Sequence, residues 1–79
     1  MIQSEMESIV VETFSLVMKQ PFGLNEEVVR GRESAWTSLK HIELILALEE
    51  KFDIRFTEDE MVELKSLSTV KATVSKHLL

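Results

Sequence analysis

The run from Trp36 to Ile54 constrains this chain more than any other stretch. Between Ser38 and Phe52 there is no Gly or Pro, and Leu39, Ile42, Leu44, Ile45, Leu46, Leu48 and Phe52 recur at helical steps. At 100° per residue these side chains spread over roughly half the helix circumference. The spacing therefore predicts a helix over about 38–52, apolar on an arc wide enough for several neighbours. Lys40, Glu43, Glu50 and Lys51 gather opposite as one charged strip. His41 and Glu49 fall inside the apolar arc, which puts them at its edges or at seams between helices. Thr37 and Ser38 stand at the start, where hydroxyl side chains cap free backbone N–H groups.

The rest of the chain also reads as helical. Ile2, Met6, Ile9, Val10, Thr13, Leu16 and Val17 share one face of a helix over 2–18, and Val11, Phe14 and Met18 widen that face. Ser4 and Glu7 have capping-box spacing, which would start this helix near residue 4. Pro21 and Gly23 break the pattern. Residues 19–36 read as a long connection anchored by Leu24, Val28 and Val29, with a possible helical turn at 26–29 and an exposed Arg30-Gly31-Arg32. A connection this long in a small domain is usually functional; here it delivers Trp36 and Ser38 to the mouth of the central helix. Thr57 and Glu60 form a second capping-box pattern, opening a short helix from 58 to about 64 with Met61, Val62 and Leu64 inward. Ser66 or Ser68 caps a last helix, with Leu67, Val70, Val74 and Leu78 inward. No stretch alternates convincingly at period two. The expected fold is all-α: a small four-helix bundle, one domain over residues 1–79, with a long loop after the first helix and a short third helix.

Composition narrows the function. A chain of 79 residues buries only about 60% of its unfolded surface, so its core is small. It has no Cys and hence neither disulfides nor thiolate metal ligands. The net charge of −5 disfavours nucleic acid and anionic membranes and suits partners with basic patches. No apolar run reaches membrane-spanning length, and the start Met1-Ile2-Gln3-Ser4-Glu5 is unlike a secretory signal. A soluble cytoplasmic protein is expected. The two histidines, His41 and His77, have no ligand cluster around them in the sequence, so no metal site is expected.

Thr37-Ser38-Leu39, then Glu43-Leu44, Ala47-Leu48-Glu49-Glu50 and Phe52-Asp53-Ile54, resemble the modification site and second helix of acyl carrier proteins. The likeness extends over nearly the whole chain, through an amphipathic first helix, a long loop, an acidic short helix and a closing helix. It implies that Ser38 carries 4′-phosphopantetheine, attached from coenzyme A by a phosphopantetheinyl transferase. It implies that Thr37, Leu39, Glu43, Glu49 and Glu50 form the surface read by acyl-loading and acyl-transferring enzymes with basic docking patches. It further implies that Ile42, Leu46, Ala47, Met61 and Val62 line a seam that receives the acyl chain. Thr37 departs from the family pattern, which has Asp there; a Thr can cap the helix but offers no carboxylate to the transferase and its metal. Lys40 and His41 are more basic than the usual family helix, and read either as exposed residues or as partners of the tethered phosphate.

Each residue also has a plainer reading. Ser38 alone is a helix cap unless Thr37 takes that place; the acidic strip is a solvated face; the seam residues are core. Trp36 is expected to pack on the core edge with its indole N–H bonded, and His77 to sit favourably at a helix C-terminus. The leading expectation is a monomeric, freestanding acyl carrier, not an enzyme, serving fatty acid, polyketide or related biosynthesis. An aminoacyl or peptidyl carrier is the alternative within the family, and an unmodified helical adaptor the alternative outside it. A hydrolase with Ser38 as nucleophile would need a base and an oxyanion hole, and no Gly-rich turn surrounds the serine.

Overall fold

A computed structural model describes residues 2–79. Four helices follow in order: α1 Gln3–Met18, α2 Ser38–Phe52, α3 Glu58–Glu63 and α4 Leu67–Leu78. The described residues contain no strand, only an isolated bridge between Val29 and Ser66. α1 packs along both α2 and α4. The core between them is apolar, with Met6, Val10, Phe14, Leu44, Leu48, Leu64, Leu67, Val70 and Val74 fully buried.

α1 begins without the Ser4–Glu7 capping box. Its N-cap is Ile2, in extended geometry with no side-chain bond, and Ser4 is already inside the helix. Glu7 instead accepts from the side chain of Gln3 at 3.0 Å, a one-turn pair that leaves it unavailable as a cap. The buried face also differs from the expected one. Val11, Phe14 and Met18 are core, whereas Ile2 and Leu16 are exposed. The helix ends at Lys19 in the left-handed region, φ 61°, and the N–H groups of Lys19 and Gln20 bond back to the carbonyls of Leu16 and Ser15.

The connection from 19 to 37 holds no helix, and the turn expected at 26–29 does not form; a single turn falls instead at 29–33, where the Glu33 N–H bonds to the Val29 carbonyl at 2.9 Å. Of the expected anchors, Val28 is buried while Leu24 and Val29 are exposed. Val28 and Arg30 pair with the turn before α4, through Leu67 N–H to Val28 O at 2.8 Å and Arg30 N–H to Lys65 O at 2.9 Å. Val28, whose carbonyl is committed to that pairing, does not close a helical turn over 26–29. Glu27 adds a second tie, accepting the Ser68 N–H at 3.0 Å and its hydroxyl at 2.6 Å. These bonds hold the Glu27 carboxyl below its ordinary range, the Ser68 hydroxyl being the largest cause. Phe22 and Trp36 then close over Phe14, with ring centroids 5.1 and 4.9 Å away in edge-to-face contact, a favoured arrangement.

α3 opens with the full Thr57–Glu60 capping box and α4 with Ser66 as cap. No residue of α3 is fully buried. Leu64, just past it, is core, but Val62 points outward, as does much of Leu78. A helix of six residues offers too few turns to bury a complete stripe.

Candidate functional site

The long connection ends where α2 begins. Thr37 is the N-cap, extended, and its hydroxyl accepts the Lys40 N–H at 3.2 Å. Its carbonyl accepts the His41 N–H at 2.9 Å. Because Thr37 takes the capping role, Ser38 occupies the first helical position, exposed, with no hydrogen bond to its hydroxyl among the described residues. The Ser38 and Leu39 N–H groups are likewise unpaired in this first turn, as helix geometry dictates.

Ser38 lies at the edge of an open concavity of about 510 Å³ lined by Arg30, Gly31, Trp36, Thr37, His41 and Ile42. Arg30 is half-buried, not exposed as its polar neighbours suggest, and its guanidinium makes no ion pair among the described residues. Its backbone is held by the Lys65 pairing, which sets the residue on the wall of the concavity that Ser38 also lines. Sequence alone hides this, because the pairing partner is 35 positions away.

His41 is buried rather than exposed. Its Nδ1 accepts the indole N–H of Trp36 at 3.0 Å, and its Nε2 lies 2.8 Å from the carbonyl oxygen of Met61. A carbonyl only accepts and an indole N–H only donates, so the ring is the neutral Nε2–H tautomer. Burial is the main cause that lowers its pKa below 6.5; the Met61 bond opposes this, and the Arg30 charge adds to it. The clue in the sequence was a histidine on the apolar arc with the single Trp five residues ahead.

The broad arc of α2 resolves into two stripes. His41, Leu44, Ile45, Leu48 and Phe52 are buried. Leu39, Ile42 and Leu46 are 65, 56 and 60% exposed, about 140° away around the helix at 100° per residue. The expected seam residues therefore separate. Ile42 and Leu46 share the outer stripe, and Val62 of α3 is 60% exposed as well. Met61 is half-buried against the core. Ala47 lies on another side altogether, in a cleft with Thr13, Leu16, Val17, Glu50 and Lys51 between α1 and α2. They do not enclose a common cavity.

Among the acidic residues, Glu43 and Glu50 are exposed, and Glu43 pairs with Lys40 at 3.2 Å. Glu49 is half-buried; its carboxylate accepts the Phe56 N–H at 2.9 Å and so braces the turn after α2. It is less exposed on that face than Glu43 or Glu50. His77 meets a carboxylate after all, Glu60 Oε1 at 2.9 Å, and Lys76 meets Glu60 Oε2 at 2.8 Å. Lys76, the Thr57 N–H and His77 together lower Glu60 to a pKa of about 2. Among the described residues no three potential metal ligands cluster, and no helix is long and apolar enough to cross a membrane.

Comparison with protein-family models, with curated proteins and with solved structures finds no match.

Proposed function

We propose that this chain is an acyl carrier domain: Ser38 takes a 4′-phosphopantetheine arm whose thiol holds acyl intermediates as thioesters for partner enzymes of fatty acid, polyketide or related biosynthesis. The observation that carries the reading is the free state of Ser38. A capping serine has its oxygen committed to the helix; here Thr37 does that work, and the exposed Ser38 hydroxyl stays available to a transferase. A phosphodiester on Ser38 sits over the unpaired N–H groups of the first turn, at the positive end of the helix dipole. That position favours the anion by about 0.3–1 kcal/mol, and Arg30 on the adjoining wall supplies a full positive charge. The chain has no Cys, so thioester chemistry requires the added thiol.

The outer stripe of Leu39, Ile42 and Leu46, edged by Glu43 and Glu50, is the face presented to partners. Apolar side chains give such a contact its buried area, and the flanking carboxylates steer basic docking sites. An acyl chain would lie along Ile42, Leu46, Met61 and Val62, which requires α3 to shift over it; Ala47 has no part in that path. The same features fit an aminoacyl carrier, with the thioester cargo changed. The exposed apolar stripe and the missing carboxylate at Thr37 also support a second reading, an unmodified adaptor docking through α2.

The test is intact mass after incubation with coenzyme A, magnesium and a broad-specificity phosphopantetheinyl transferase, beside Ser38→Ala and Thr37→Asp. Gain of one phosphopantetheine by the native chain and none by Ser38→Ala is expected, with faster gain by Thr37→Asp. No gain by either the native chain or Thr37→Asp would put the adaptor reading in its place.

A further inference from the structure

Trp36, His41 and Met61 come from three different elements, the long connection, α2 and α3, and one imidazole joins them. We propose that His41 is a positioning residue: in its neutral form it ties the loop that delivers Ser38 to α3, and on protonation it releases Trp36 and loosens the Ser38 entrance. The bond inventory sets which link breaks. Neutral His41 offers Nδ1 as acceptor to the indole N–H and Nε2–H as donor to the Met61 carbonyl. Adding a proton to Nδ1 turns that nitrogen into a donor facing a donor, so the Trp36 bond cannot persist. The Met61 bond keeps its donor and, now charge-assisted, strengthens. The imidazolium also needs water, and His41 and Trp36 both line the open concavity beside Ser38. A small shift toward that concavity hydrates the charge while α3 stays attached.

The surroundings define the pH range. From the connection, the charge acting on His41 is Arg30, which opposes a second positive charge. On α2, Lys40 is occupied by Glu43. From α3 the contact is the neutral Met61 carbonyl, while Glu60 is engaged with Lys76 and His77 of α4. From α1, the uncharged Phe14 packs on Trp36. Burial opposes a charge on the ring, and among the described residues no carboxylate is paired with it, so the closed form binds the proton less tightly than the open one. The closed entrance is fully favoured above about pH 6.5. It weakens about tenfold per pH unit from there down to the lowered value of the closed form.

The experiment needs only the unmodified chain, so it stands or falls separately from the carrier reading; only the benefit of a loosened entrance to a phosphopantetheine arm rests on that reading. Trp36 is the single Trp, and its emission reports directly on the bond. Its fluorescence and the His41 C2–H resonance are followed together from pH 8 to pH 5. They are expected to change with one midpoint below 6.5, while far-UV circular dichroism stays constant and His77→Gln leaves the midpoint in place. Trp36→Phe keeps the ring but removes the donor, and is expected to move the His41 midpoint upward. His41→Gln retains a donor and an acceptor without a titrating group, and is expected to give a flat Trp36 profile with a folded chain. Trp36 emission that ignores the His41 titration, or follows His77, would overturn the proposal. So would a Trp36→Phe midpoint identical to the native one, or simultaneous loss of all helical signal at the midpoint.

Discussion

The frame of α1, α2 and α4 and the rim of the long connection and α3 are held by different physics. In the frame, Met6, Val10, Phe14, Leu44, Leu48, Val70 and Val74 are buried almost to zero exposure. Their contribution is cumulative and non-directional, growing with the apolar area removed from water. The rim is fastened at points: Phe22 N–H on Ser15, Leu67 N–H on Val28, Glu27 on Ser68, Lys71 on the Leu24 carbonyl, His41 between Trp36 and Met61, and Glu60 on Lys76 and His77. Each neutral bond among these is worth only about 0.5–1.5 kcal/mol net, and the exposed ion pair with Lys76 little. Several depend on charge, so the rim responds to pH and to single-atom changes that the frame ignores. Ser38 lies on the boundary, the first residue of a frame helix delivered by a rim loop.

The sharpest way to break this contrast is to remove the side chain that joins the two regions. Phe14 belongs to α1 but receives Phe22 and Trp36 from the connection. Phe14→Ala deletes a fully buried ring and is expected to cost about 3–5 kcal/mol. A domain this size has a total stability on the order of 4–12 kcal/mol, so the urea midpoint should fall steeply for every probe at once. A loss confined to the connection, with α1 and α4 unaffected, would mean that the frame does not depend on its aromatic plug.

Glu60 tests the rim alone. It completes the α3 capping box and binds two α4 side chains. Lys76 is largely exposed, so its ion pair is worth little, and Glu60→Ala is expected to cost about 1 kcal/mol in all. The loss should appear as faster amide exchange in 58–63, with Val10 and Leu44 protected as before. The sign with pH follows from the pKa of about 2 against the ordinary 4.5. The folded state holds the proton less tightly, so the contribution is complete above about 4.5 and disappears as pH falls toward 2. That window opens at a lower pH than the one for His41, which begins below 6.5, so acid should begin to loosen the Ser38 entrance before α3. Glu60→Gln should remove the second step and leave the first.

The frame was far more legible in the sequence than the rim. Helical periodicity locates α1, α2 and α4 within a residue or two, because each must turn one stripe inward. The Thr57–Glu60 box follows from local chemistry and is also readable; for α2 the sequence offers both Thr37 and Ser38 as cap, and the structure takes Thr37. The rim is not readable, because its ties join residues far apart in the chain: Arg30 is placed on the concavity beside Ser38 through Lys65, and His41 bonds across to Met61. Ser4 and Glu7 show the converse, a correct local spacing unused because the N-cap falls two residues earlier, at Ile2. On α2, side-chain angle is legible but the number of neighbours is not. Leu39, Ile42 and Leu46 read as core simply because they are apolar, yet no element lies over them.

That last distinction sets the smallest expected effect. If the outer stripe of α2 were part of the frame, Ile42→Ser and Leu46→Ser would each leave a cavity and cost several kcal/mol. Both side chains are more than half exposed, so each replacement is expected to change stability by no more than about 0.5 kcal/mol. Ile45→Ser, one step round on the buried stripe, should cost several times as much. Paired urea titrations of the three variants make the comparison directly. Under the carrier reading, the two outer replacements should still slow the transferase acting on Ser38, since they remove the apolar part of the face it docks against. A stability loss at Ile42 or Leu46 as large as at Ile45 would mean that α3 covers the stripe in solution, and the boundary between rim and frame would then lie on the far side of α2.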